Sequence, residues 1–129
     1  MSAQNEGHGL DMLTIYTLAT CDTCRRATKW LREHKIAFIE KPIRETPPSS
    51  AELRAMLAHH GGALRKLLNT AGRDYRELGI GEKLPTLTPA EALKLLSGNG
   101  NLVKRPFLLG PNVGLVGFDE KIWAAALKA

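Results

Sequence analysis

Hydrophobic and polar positions change period several times along this chain. Leu13-Thr14-Ile15-Tyr16-Thr17-Leu18 is an apolar, β-leaning run that predicts a first strand. From about Cys21 or Cys24 to His34 the spacing becomes helical, with Ala27, Trp30 and Leu31 on one face. Ile36 to Glu40 alternates imperfectly and predicts a second short strand. Strand, helix and strand within about thirty residues make a right-handed βαβ unit.

A proline-containing loop with Pro42, Pro47 and Pro48 leads into Ser49-Ser50-Ala51-Glu52, a capping box. The helix it opens carries Leu53, Met56 and Leu57 inward, and Gly61-Gly62 breaks it. Leu64, Leu67 and Leu68 mark another short helix. Thr88-Pro89-Ala90-Glu91 is a second capping box with proline at the first helical position, and its helix runs through Leu96 to the stop Ser97-Gly98-Asn99-Gly100. Beyond Arg105-Pro106 the pattern returns to strand: Phe107-Leu108-Leu109, a Gly110-Pro111-Asn112 turn, then Val113 to Val116, a hairpin. Asp119 caps a last helix with Ile122, Trp123 and Leu127 as its apolar positions. The order βαβ, helices, ββα predicts an α/β (α+β) thioredoxin-like fold. Its mixed, four-stranded sheet is covered by helices, with a helical insert over about residues 46–104. Residues 12–129 form one domain in this reading. Residues 1–11 are polar and glycine-containing, without the apolar stretch of a signal peptide, and read as a disordered lead-in.

Composition agrees with one globular domain: 43% of the 129 residues are hydrophobic and 24% charged. No apolar run approaches the ~20 residues of a membrane span. Two cysteines are too few for a secreted disulfide scaffold, which makes a reducing, cytoplasmic setting the expectation, with a monomer as the default. A net charge of +5 favours anionic partners. Arg25, Arg26, Lys29, Arg32 and Lys35 cluster behind the cysteines, and the face of Arg26, Lys29 and Arg32 is where an acidic protein would dock. No helix-turn-helix, zinc finger or aromatic RNA-binding signature accompanies them, so direct DNA binding is not expected.

The chemistry lies in Cys21-Asp22-Thr23-Cys24, which holds both cysteines of the chain. A thiol where a strand turns into a helix faces unpaired backbone N–H groups and the positive end of the helix dipole. Both favour thiolate, so Cys21 is the predicted nucleophile, and Cys24, one turn on, is near enough to close a disulfide. Structural zinc would need four ligands; there is no second CxxC, and His59-His60 lack ligand spacing, so no metal is predicted. Asp22 and Thr23 read as capping residues rather than catalysts, and Trp30 and Tyr75 as packing. No residue stands out as a dedicated general base, and a low-pKa thiolate needs none.

Several segments together resemble the arsenate reductase-like family, which includes the Spx regulators and the YffB-type proteins. They are Ile15-Tyr16 before Cys21-Asp22-Thr23-Cys24-Arg25-Arg26-Ala27, Leu67-Leu68-Asn69-Thr70 with Tyr75-Arg76-Glu77-Leu78, and Leu102-Val103-Lys104-Arg105-Pro106 followed by Gly117-Phe118. The resemblance implies that Cys21 attacks, that Cys24 resolves, and that Arg105 precedes a cis proline, Pro106, beside the thiol. There its guanidinium can stabilise the thiolate or bind an oxyanion. Thr23, Asn69 and Pro106 are the candidates to line the substrate. Arsenate reductases of this type carry arginines where this chain has Asn69 and Gly117, which leaves Arg105 as the one evident guanidinium and places the chain nearest the YffB-like branch; Arg65 and Arg73 lie near in sequence but out of register. The implied function is a thiol–disulfide reductase with no bound cofactor and glutathione or thioredoxin as electron donor. The alternatives are a redox-sensing, Spx-like partner of the RNA polymerase α-subunit, and an arsenate reductase.

Overall fold

Strand β1 (Leu13–Thr17) is the axis of the molecule because its alternation supplies two cores at once. In the computed structural model, which describes residues 12–129, Leu13 and Ile15 point to one side of the sheet and Tyr16 to the other. β2 (Phe38–Pro42) pairs parallel to β1, while β3 (Phe107–Leu109) pairs antiparallel to β1 and to β4 (Gly114–Val116). The sheet order is β2-β1-β3-β4, the mixed thioredoxin-like arrangement.

One side is packed by α1 (Asp22–Glu33) and α6 (Glu120–Leu127), through Ala27, Trp30, Leu31 and Trp123 against Leu13, Ile15, Leu108 and Leu115. Trp123 is 1% exposed, and its indole N–H donates to the Gly117 carbonyl at 3.2 Å, so a large apolar body is buried with its polar atom satisfied. On the other side lie α2 (Ser50–His59), α3 (Arg73–Glu77), α4 (Ile80–Lys83) and α5 (Pro89–Ser97), all between β2 and β3. Leu53, Met56, Leu67, Leu93, Leu96 and Leu102 bring them onto Tyr16 and Phe107. Full burial of each such side chain contributes roughly 1.5–3 kcal/mol.

The capping boxes at Ser49/Glu52 and Thr88/Glu91 form in full. Glu52 does more than cap: its Oε1 also accepts from the Tyr16 hydroxyl at 2.7 Å, which ties the start of α2 to the central strand. Between α2 and α5, Leu68 bridges Val103, with Asn69 N–H donating to the Leu102 carbonyl and Lys104 N–H to the Leu67 carbonyl, both at 2.8 Å. That short antiparallel link lays Asn69 beside the 100–105 turn.

Two expectations change. The second strand begins at Phe38, two residues later than the alternation suggested, because Ile36 completes the end of α1: Lys35 sits at φ 57° and the Ile36 N–H donates to the Leu31 carbonyl at 3.0 Å. Ile122 is 57% exposed, since only Trp123, Ala124 and Leu127 of α6 face the sheet. Helices α3 and α4 carry no periodic signal in the sequence; at five and four residues they are too short to show a 3.6-residue period. No helix among the described residues is long and apolar enough to cross a membrane. The polar lead-in of residues 1–11 lies outside the described residues.

Candidate active site

The chain leaves β1 and turns at Ala19-Thr20, with the Cys21 N–H bonded to the Leu18 carbonyl at 2.9 Å. Cys21 then takes the N-cap of α1, in extended conformation (φ −87°, ψ 112°). Its sulfur stands where the oxygen of a serine or aspartate cap would stand, and accepts the Cys24 backbone N–H at 3.1 Å. The nucleophile candidate is therefore itself the cap. Asp22 and Thr23 are not; Asp22 instead makes an exposed ion pair with Arg25 at 3.1 Å, and Thr23 is half-buried in the first turn.

The two thiols differ in their surroundings. Both are free, Cys21 partly exposed and Cys24 only 2% exposed. Burial pushes the Cys24 thiol up to about 12, helped by its hydrogen bond to Cys21; a backbone hydrogen bond with Leu18 and the charge of Arg105 oppose the shift. Cys24 is thus held as a neutral thiol against the sulfur it would attack.

The Arg105–Pro106 peptide bond is cis, and Pro106 is buried. Arg105 is half-buried: desolvation lowers its pKa, and the nearby sulfurs of Cys21 and Cys24 favour its charge. Its Nη2 donates to the Asn101 carbonyl at 3.0 Å, and its Nε is buried without a hydrogen-bond partner. A donor in that state has capacity left for an anion. The structure brings Arg105, with Pro106 next to it, to Cys21 and Cys24.

Beyond Arg105 a cavity of about 260 Å³ opens, lined by Arg44, Asn69, Gly72, Arg73, Asp74, Asn101 and Arg105. Asn69 thus joins Arg105, whereas Arg65 lines a different groove, with His60, Lys66, Lys104 and Ile122. The count of a single guanidinium is corrected: Arg44 and Arg73 share the cavity. Asn101 organises it. Its Oδ1 accepts from Arg44 Nε at 2.6 Å, its Nδ2 donates to Asp74 Oδ2 at 3.2 Å, and its carbonyl accepts from Arg105 and from Asn69 Nδ2 at 3.3 Å. Asn99 donates a further bond to Asp74 at 3.1 Å, and these amides hold the Asp74 carboxyl below the usual carboxylate range.

Arg44, Asp74 and Asn101 escaped the sequence reading. Arg44 follows Pro42-Ile43 in what reads as a plain loop, and Asn101 follows residues that read as a helix stop. Gly100 makes the junction possible: a Cβ there would lie 1.9 Å from the Ile43 carbonyl oxygen, so only glycine lets the 43–44 backbone reach the 100–102 turn. Gly117 has φ +71° and faces Lys104, whose Cε would lie 3.4 Å from an added Cβ. The expected basic docking face is mixed in sign: Lys29 lies 4.0 Å from Glu33, and Arg32 3.8 Å from Glu40. Among the described residues no group of three or more His, Cys, Asp or Glu could hold a metal ion.

Residues 16–126 match the model of the ArsC family, to which the chain belongs. It is 44% identical over 108 residues to the uncharacterized protein YusI of Bacillus subtilis, covering 84% of this chain and 92% of that one. It is 33% identical over 109 residues to the global transcriptional regulator Spx of Enterococcus faecalis, covering 84% and 81%. The solved structure of an ArsC family related protein from Bacteroides fragilis superposes with a TM-score of 0.83 at 36% identity, over 91% of this chain and 98% of that one. The chain has this family's thiol redox fold and carries the cysteine pair Cys21 and Cys24.

Proposed function

We propose that the protein is a thiol–disulfide reductase in which Cys21 attacks and Cys24 resolves. The observation that carries this reading is the asymmetry of the pair: a partly exposed sulfur at the N-cap of α1, hydrogen-bonded to a buried neutral thiol and within reach of Arg105. The Cys21 thiolate attacks one sulfur of a substrate disulfide, a new S–S bond forms, and the other substrate sulfur leaves as a thiolate. Cys24 then gives up its proton and attacks the Cys21 sulfur; the second substrate sulfur leaves as a thiol. The substrate has gained two electrons and the protein holds a Cys21–Cys24 disulfide. Two molecules of glutathione, or the dithiol of thioredoxin, return those electrons, so no bound cofactor is required, and a cytoplasmic monomer fits this cycle.

Cys24→Ser tests it. The variant is expected to accumulate a mixed disulfide on Cys21 with a glutathionylated substrate or with thioredoxin, visible as a mass adduct, while the wild type turns over. No adduct on Cys21 in the variant, or no turnover by the wild type with either donor, overturns the reading.

A second reading has support in the similarity to Spx and in the closeness of the two thiols, which suits a sensor as well as an enzyme. As a regulator the protein would bind the RNA polymerase α-subunit differently once the disulfide forms. Binding that is independent of redox state, together with catalytic turnover of small disulfides, counts against it. Arsenate is the poorer substrate in our reading, since Asp74 sets a fixed negative charge among the cavity's arginines.

A further inference from the structure

The cavity beyond Arg105 is unusual in carrying both signs of charge in fixed places. Arg44 is anchored through Nε by Asn101, and among the described residues no hydrogen bond occupies its terminal nitrogens. Asp74 is anchored by Asn99 and Asn101 through one carboxylate oxygen, while Arg73 Nε stays 3.8 Å from the other. Arg105 forms the wall shared with the cysteines and keeps a buried, unpartnered Nε.

Three ligand types can be weighed against this arrangement. A tetrahedral oxyanion gains from the three guanidinium groups but is repelled by Asp74, which stays ionised in its amide cradle. A plain dicarboxylate has the same difficulty. A ligand end with one carboxylate and one ammonium a single carbon apart uses both signs: the carboxylate meets the arginine fork and the ammonium meets the aspartate. Cysteine bears such an end within a few bonds of its sulfur, whereas in γ-glutamyl thiols a peptide chain separates the zwitterion from the sulfur, as a cavity set apart from the cysteines by Arg105 requires.

We propose that the cavity lined by Arg44, Asp74, Asn101 and Arg105 binds the γ-glutamyl α-amino-carboxylate of glutathione, with Arg44 on the carboxylate and Asp74 on the ammonium. This rests on the thiol reductase reading above and makes glutathione, rather than thioredoxin alone, a partner of Cys21. Asn101 is a positioning residue in it, because its neutral amide fixes both charged groups without adding a charge to the cavity.

The test reads binding without chemistry. Reduced wild-type protein is titrated calorimetrically with S-methylglutathione, whose sulfur cannot exchange, and with its N-acetyl derivative, which lacks the ammonium. The wild type is expected to prefer the free-amino ligand by roughly tenfold or more, the scale of one charge-assisted hydrogen bond. Asp74→Asn should erase that preference, and Arg44→Ala should weaken both ligands by a similar factor. The ligand comparison on the wild type needs no variant to fold. Equal affinity for the two ligands overturns the proposal, as does tighter binding of inorganic phosphate than of S-methylglutathione. If neither ligand binds while thioredoxin still drives turnover, the cavity assignment falls and the reductase reading stands. If the ligand preference is found but no disulfide is turned over with any donor, the reductase reading falls and the cavity assignment stands.

Discussion

The two ends of the site are built in opposite ways. The cysteine end comes from a single turn, where Cys21 and Cys24 bond across three residues. The cavity is assembled from segments far apart in the chain: Arg44 reaches Asn101 across 57 residues, Asn69 across 32, and Asp74 across 27. Arg105 is where they meet. On the proposed function, the difference teaches that reactivity is set locally at a helix terminus, whereas selectivity follows from how the helical segment between β2 and β3 packs. Damage to one end should therefore leave the other measurable.

Cys21→Ser gives the largest expected effect: turnover of a glutathione-mixed disulfide falls by roughly 10³-fold or more. S-methylglutathione should still bind the variant within a few fold of wild type. A large loss of binding would show that the two ends are not separate.

Next comes alkaline stability. In the folded protein Cys24 keeps its proton until about pH 12, against an ordinary value of 9.0. The unfolded chain loses that proton first, so as pH rises from 9 towards 12 the folded state binds more protons and stability falls. Below the unfolded value this contribution is complete. Each pH unit of the window carries ~1.4 kcal/mol, so the loss reaches a few kcal/mol at its alkaline end. Urea titrations of the reduced wild type and Cys24→Ala across the window should show a steeper decline for the wild type. Equal slopes would mean that Cys24 is less enclosed than its burial indicates. Tyr16, whose hydroxyl is also held protonated by burial and by Glu52, adds the same sign to both proteins and cancels.

Asn101→Ala removes the bridge between Arg44 and Asp74. The KM for a glutathione-mixed disulfide should rise roughly 10-fold to 100-fold with kcat little changed, the pattern of lost binding rather than lost chemistry. Asn101→Asp keeps the acceptor for Arg44 but repels Asp74, and should recover only part of the loss. A fall in kcat alone would merge the two ends. The smallest effect is expected from Ser49→Ala, which removes the cap hydroxyl of α2 and costs about 1 kcal/mol in a denaturant melt, with KM unchanged.

How much could be read without coordinates follows the same division. Strand β1, helix α1, both capping boxes and the hairpin are each declared by neighbouring residues, and the cysteine turn with them. The register of β2 was not, because a lysine in left-handed conformation at position 35 carries no glycine to mark it. Helices α3 and α4 are held by packing, with Ile80 buried between them and the core, rather than by any period of their own. Arg44, Asp74 and Asn101 are ordinary loop residues until Gly100 lets two distant turns touch. Asn69 and Arg105 were found through family resemblance, which supplied the long-range pairing that local patterns lack.

Gly117 bears on how such a site can change by mutation. Its φ of +71° is cheap for glycine, but an arginine placed there would pay roughly 1–2 kcal/mol for the left-handed backbone. Gly117 lines the groove of Arg65 and Lys104 rather than the cavity of Arg44 and Arg105, so a guanidinium placed there would join a different set of cations, at a cost in stability. One backbone angle thus sets a barrier to gaining an arginine at this position by a single substitution.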